Sequence, residues 1–193
     1  MMTTLSQAEP LPTTLQTVDE FEQWQRQHVT EGSYEFVRGR IIPKPAMKQE
    51  EVFIAKFLTR LFTKTVAYQR GDELLPETDS YVDGSRKRVP DLTYLTVEQQ
   101  ESIRQGERAR TRFAIEILSE SESFQSVTDK VQDYFDGGAE LVWYVAPPTD
   151  VAVKQKIYVY TSPDETKVYK GTDTLSAAPV IEDLQFVVAD LFA

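Results

Sequence analysis

Phe113-Ala114-Ile115-Glu116-Ile117-Leu118 is the stretch on which the fold turns. Alternation puts Phe113, Ile115 and Ile117 on one face of a strand and Ala114, Glu116 and Leu118 on the other. Both faces are apolar apart from one carboxylate, the mark of a central strand covered on both sides. A charge in such a strand is costly unless it is paired or bound to a metal. Glu116 is therefore either a strand-end acid that reaches solvent or an arginine, or a member of a site.

Downstream, Ser126 is placed to cap a helix running to about Phe135. Val127, Val131, Tyr134 and Phe135 form its apolar stripe, and Lys130 borders that stripe, three residues after Val127 and four before Tyr134. Gly137-Gly138 stops the helix, and 140–146 is a second apolar strand containing Val142, Trp143 and Val145. Ile157–Thr161 and Thr166–Lys170 read as a hairpin around Pro163-Asp164, and a last strand falls near Leu184–Val187.

Upstream, 72–95 breaks into short strands at Glu73–Pro76, Thr78–Val82 and Asp91–Leu95, with a turn at Asp83-Gly84-Ser85. Pro90 holds Val89 extended and leaves Asp91 at the mouth of the third strand. Thr96 with Gln99 signals a short helix to about Arg104. Nearer the start, Thr17 with Glu20 makes a capping box for a helix to about His28, which Gly32 ends. Tyr34–Val37 and Arg40–Ile42 flank Arg38-Gly39 as a hairpin stopped by Pro43 and Pro45. A long helix is expected over about Gln49–Gln69, with Ile54, Phe57, Leu58, Leu61 and Phe62 on one stripe. The order is that of an α/β chain with a mixed sheet rather than a βαβ repeat. Residues 1–16 are polar, with Pro10 and Pro12, and read as a flexible leader to a single domain at 17–193.

Composition narrows the chemistry. The 193 residues contain no cysteine, which excludes thiol catalysis, cysteine-held zinc, iron–sulfur clusters and disulfides. The one histidine, His28, lies among polar residues and reads as a surface group; alone it cannot build a His-rich metal site. No signal peptide or membrane-spanning run is visible, and the chain reads as soluble and cytoplasmic. Net charge is −10, an awkward balance for a protein that meets phosphate unless its cations are placed locally. Two clusters offer them: Arg86, Lys87 and Arg88, and Arg104, Arg108, Arg110 and Arg112. Both read equally as solvated loop charges.

Hydrolysis in such a chain must run on carboxylates and lysine, with or without a metal. Pro90-Asp91 alone is ordinary turn chemistry, and Lys130 alone could extend outward as most lysines do. Together, Asp91 and Glu116 on neighbouring strand ends suffice to hold one Mg²⁺ by oxygen, with positions left for water and phosphate. Lys130, from the element after the second strand, can orient the water or offset charge in the transition state.

The runs at 34–42 (YEFVRGRII), 89–95 (VPDLTYL), 114–119 (AIEILS) and 129–145 (DKVQDYFDGGAELVWYV) resemble one family, the bacterial endonuclease family called Uma-two. It is abundant in cyanobacteria and belongs with restriction endonucleases to the PD-(D/E)XK superfamily. The resemblance spans about 17–192 and is most specific over 114–145. It implies a restriction-endonuclease-like fold, a mixed central sheet flanked by helices. It implies that Asp91 is the motif aspartate and Glu116 the second acid. The Ile117 carbonyl is implied as a further metal ligand. The superfamily's lysine lies two residues after that acid, where this chain has Leu118. The family's lysine looks to have moved to the following helix, and Lys130 matches its place. Many relatives carry a His at the start of the long helix, where this chain has Lys48-Gln49-Glu50-Glu51. Glu50 or Glu51 is then either an aid to the metal or a charge on the helix N-terminus.

The resemblance implies a Mg²⁺-dependent (or Mn²⁺-dependent) DNA endonuclease, acting as a homodimer like many of its superfamily. The aromatics Trp143, Tyr144, Tyr158, Tyr160 and Tyr169 read as core or sheet-face residues, some of them available to a dimer interface. Two alternatives stand beside it: a weak or inactive binding or regulatory protein on a nuclease fold, and a hydrolase of another phosphate ester.

Overall fold

The computed structural model describes residues 11–28, 32–119, 122–147 and 155–193. Its framework is a mixed six-stranded sheet in the order β10-β9-β8-β7-β6-β3. The strands are β3 (Glu73–Pro76), β6 (Leu92–Leu95), β7 (Phe113–Ile117), β8 (Leu141–Ala146), β9 (Lys156–Ser162) and β10 (Glu165–Lys170). Strand β7 is central and buried at every position, as its sequence requires. It pairs parallel with β8 and antiparallel with β6. The parallel pair needs a crossover, which helix α5 (Phe124–Asp136) supplies.

Each face of this sheet has its own core. Phe113, Ile115, Ile117, Trp143 and Val145 pack against α2 (Gln49–Phe62), α6 (Val188–Leu191) and the ribbon of β11 (Thr174–Ala177) with β12 (Ile181–Val187). Ala114, Val142 and Tyr144 face the Val127, Val131 and Tyr134 stripe of α5. The alternation of β7 therefore turns Glu116 toward α5.

A second sheet, β2-β1-β5-β4, comprises β1 (Ser33–Val37), β2 (Arg40–Lys44), β4 (Ser80–Asp83) and β5 (Arg86–Arg88). One face of it carries Phe36, stacked on Phe21 of α1 (Val18–Gln27). The other faces α5 with charge. Pairing of Phe36 with Lys87 and Val37 with Arg86, continued one residue, sets Glu35 opposite Arg88. Arg88 donates to Glu35 and to Asp133 of α5, and Arg86 to Asp133 and Asp136. Helix α5 is thus held by apolar contact on one sheet and by ion pairs on the other.

The expected N-terminal helix, hairpin, and capping boxes at Thr17/Glu20 and Thr96/Gln99 are all present; the latter opens α4 (Val97–Arg104). The long helix divides: α2 ends at Phe62 and α3 (Val66–Arg70) starts anew, because the Thr65 hydroxyl accepts the Tyr68 N–H and caps it. Ser123, not Ser126, caps α5, accepting the Ser126 N–H. Pro43 lies within β2 rather than beyond it, which an edge strand tolerates. The first helix ends at Gln27 with His28 as its cap, so Gly32 has no part in it. Strands β5 and β11 and helix α6 are additions to the expected order. Of the proposed leader, 1–10 lie outside the described residues, while Leu15 packs on the Val18–Phe21–Phe36 cluster. No helix among the described residues is long and apolar enough to cross a membrane.

Candidate active site

Strand register brings the two acids together. Leu92 pairs with Ile115, so one further step along the antiparallel ladder sets Asp91 opposite Glu116. Opposed side chains share a face and sit close, and like charges there repel. The surroundings answer that repulsion with cations. Lys44 Nζ donates to Asp91 Oδ1 at 2.8 Å and to the Val89 carbonyl at 2.6 Å. Lys130 Nζ lies 3.5 Å from Glu116 Oε2 and 2.9 Å from Glu122 Oε1. The Tyr134 hydroxyl, one helical turn after Lys130, donates to Glu116 Oε1. The Ile117 N–H donates to Asp91 Oδ2 at 2.6 Å.

Apart from Val89 and Tyr134, these hydrogen-bonded residues line one cavity of about 440 Å³, between β2, the N-terminus of α2, the ends of β6 and β7, and α5. Asp91, Glu116, Ile117 and Lys130 all face it, as do Lys44, Glu35, Arg88 and Glu122. Glu51 lines it as well, while also accepting the Lys48 N–H at 2.7 Å as the first-turn acid of α2; Glu50 is not among the lining residues.

Burial is the largest single influence on Asp91, Glu116 and Lys130, but it prevails only at Asp91. It pushes Asp91 up to about 6, and the nearby charge of Glu116 pushes the same way, against the pull of Lys44 and the Ile117 N–H. Burial would raise Glu116 too, but the charges of Lys130 and Lys44 and the Tyr134 hydrogen bond hold it below its ordinary value. Burial works against the Lys130 ammonium, yet Glu116, Glu35 and Glu122 keep it firmly protonated.

The basic clusters turn out differently from a basic rim. Arg86, Lys87 and Arg88 are not loop charges: they form β5 and are buried. Arg86 and Arg88 are spent on Asp83, Glu35, Asp133 and Asp136, and Lys87 on Asp79. A short strand between the aromatic layer of α1 and the charged face of α5 puts them inside, Lys87 over the Phe21 ring and Arg86 and Arg88 against α5, and only Arg88 reaches the cavity. In the second cluster Arg104, Arg108 and Arg112 pair with Glu101, with Asp19 and Glu22, and with Glu140, and none of the four arginines lines the cavity. The cations that do line it are Lys44, Lys48, Arg88 and Lys130. His28 is exposed, as expected. Trp143 and Tyr144 are core residues, and Tyr158 and Tyr160 pack partly buried beside the α5 face.

Lys44, Glu35 and Tyr134 were not foreseen. Tyr134 had a visible signal, the four-residue spacing from Lys130. Lys44 had a faint one, a lysine between two prolines at a hairpin end. Glu35 had none, since its role depends on a cross-strand partner far along the chain.

No cluster of three or more acid, histidine or cysteine groups suited to a metal occurs among the described residues. Two carboxylates suffice for Mg²⁺, which keeps waters and phosphate oxygens as its other ligands. Two acids opposed in register, with Asp91 held above its ordinary pKa by burial and by the charge of Glu116, are a setting that a divalent cation relieves. The residues present therefore fit such an ion, with Asp91 and Glu116 as side-chain ligands.

A mixed central sheet flanked by helices, preceded by an N-terminal helix and a β-hairpin, places the chain in the restriction-endonuclease-like class of α/β folds. Residues 18–189 match the Uma2 family, described as "Putative restriction endonuclease", and the chain belongs to that family. A solved structure titled as a putative nuclease belonging to DUF820 from Anabaena variabilis ATCC 29413 is similar to it. The TM-score is 0.74 and the identity 26%, over 91% of this chain and 97% of that one. No curated protein matches the chain.

Proposed function

We propose that this chain is a Mg²⁺-dependent DNA endonuclease that hydrolyses phosphodiester bonds at the Asp91–Glu116–Lys130 cluster. The observation that carries the reading is the convergence of these three groups, from two strands and a helix, on one cavity. Asp91 and Glu116 hold the ion, with the Ile117 carbonyl as a third ligand. A bound Mg²⁺ supplies Lewis acidity toward the phosphate and the attacking water. Lys130 Nζ, anchored by Glu122 and Glu116, orients that water or offsets charge as the phosphate becomes more negative. Tyr134 fixes Glu116 from the far side and keeps it ionised. The cavity lining mixes four cations with its acids, which eases phosphate entry into a chain of net charge −10.

The test is cleavage of supercoiled plasmid with Mg²⁺ or Mn²⁺. Wild type is expected to nick it, and Asp91→Ala and Lys130→Ala to lose about 100-fold or more. Unchanged cleavage in both variants would place the activity elsewhere. One observation favours a second reading, a nuclease-fold protein that binds DNA with little or no cleavage. Lys44 already engages Asp91 Oδ1, an oxygen that the metal would need. That reading expects DNA retention with no metal-stimulated nicking.

A further inference from the structure

Lys44 has a position that the proposed chemistry does not use. It ends the edge strand β2 between Pro43 and Pro45, and the hairpin carries it from the second sheet to the mouth of β6 in the first. Its side chain is only 9% exposed, like that of Asp91. The ammonium is held at two points, the Val89 carbonyl and Asp91 Oδ1. The other Asp91 oxygen takes the Ile117 N–H. Asp91 therefore has one oxygen committed to the backbone and one to a removable cation. A lysine side chain with four rotatable methylenes can leave such a contact, whereas the strand amide cannot.

We propose that Lys44 is a positioning residue that holds Asp91 in place of a divalent ion and is exchanged for it on metal loading. The ammonium and the ion compete for one carboxylate oxygen. Without an ion, Lys44 keeps two opposed acids compatible with a folded strand pair. With an ion, that charge is redundant on Asp91, and the ammonium is left free beside the phosphate-binding volume. The inference rests on the reading of Asp91 and Glu116 as metal ligands.

Calorimetric titration of metal-free protein with Mn²⁺, alongside thermal unfolding with and without Mn²⁺, tests it. Lys44→Met is expected to bind Mn²⁺ about tenfold more tightly than wild type, because the competitor is gone. Lys44→Arg, which keeps the charge, is expected to stay near wild type. Lys48→Met removes a cation from the same cavity without touching Asp91, and is expected to change affinity less than threefold. Metal-free Lys44→Met is expected to melt below wild type and to gain more from Mn²⁺ than wild type does. A merely structural lysine would lower melting without tightening Mn²⁺. Equal or weaker binding by Lys44→Met, with wild type binding normally, overturns the exchange and leaves the metal site standing. An equal gain in Lys48→Met also overturns it, since the effect would then be general charge. No Mn²⁺ binding by wild type or any variant overturns both the exchange and the metal reading.

Discussion

The Ile117 amide donates to Asp91 Oδ2 at 2.6 Å, so the strand that carries Glu116 also fixes the acid of its neighbour. The two carboxylates are not independent side chains that meet by chance. They are set by one backbone ladder, and the same ladder forces them to repel. Whatever relieves that repulsion controls the site.

Asp91→Asn keeps an oxygen for the Ile117 N–H and is expected to unfold near the wild-type urea midpoint at pH 4.5, where the wild-type acid holds its proton, while cleaving at background. Asp91→Ala leaves the Ile117 N–H without its carboxylate partner and the buried Lys44 ammonium with only the Val89 carbonyl. It is expected to cost about 3 kcal/mol, read from urea unfolding. Equal stability of the two variants would show that neither contact matters to the fold.

The raised pKa of Asp91 has a defined sign. Its folded value is about 6, against about 3.9 in an unfolded chain. Between these values the folded state holds the extra proton, so this group's contribution to stability falls as pH rises from about 4 to about 6. The full effect is up to about 3 kcal/mol. Asp83 runs the other way: lowered to about 2 by its hydrogen bonds to Arg86 and Ser85 despite partial burial, it withdraws stability only as pH falls below about 4. Urea unfolding of metal-free wild type and Asp91→Asn at pH 4.5 and pH 7 separates the two. Asp91→Asn is expected to lack the loss on going to pH 7. Mn²⁺ affinity of wild type is expected to drop as pH falls below about 6, because the protonated acid is not a ligand.

Arg88 bridges Glu35 of β1 and Asp133 of α5, all three buried. Arg88→Met is expected to lose about 3–5 kcal/mol, since buried Glu35 is left without its cation and buried Asp133 keeps only Arg86. Arg104→Ala, which breaks an exposed pair with Glu101, is expected to stay within about 0.5 kcal/mol. Similar losses in both would mean that the buried network does not hold α5.

Tyr134→Phe removes a hydroxyl from Glu116 and nothing else. Stability is expected to fall by about 1–2 kcal/mol. The Glu116 pKa is expected to rise, because a bond to the ionised form is lost. The acidic limb of the pH–cleavage profile then moves to higher pH. An unmoved limb with lowered stability would assign the tyrosine to packing alone.

The sequence by itself determined the framework. The alternation of 113–118 marked a doubly covered strand and turned Glu116 to the face that α5 covers. Local chemistry at Thr17, Thr96 and Gly39 set helix starts and a hairpin turn, because caps and turns depend on near neighbours. Asp91 and Glu116 were legible as acids at strand ends and Lys130 as an amine beside a helix stripe, and the structure brings them to one cavity. Only the tertiary structure decided the fate of the other charges. Arg86, Lys87 and Arg88 read as solvent-facing cations, yet they are interior, because their partners Glu35, Asp79, Asp133 and Asp136 come from other elements. Lys44 reaches Asp91 across 47 positions of chain. Register and caps are written over a few residues, whereas a buried ion pair is fixed by which elements pack face to face, and that is a property of the whole fold.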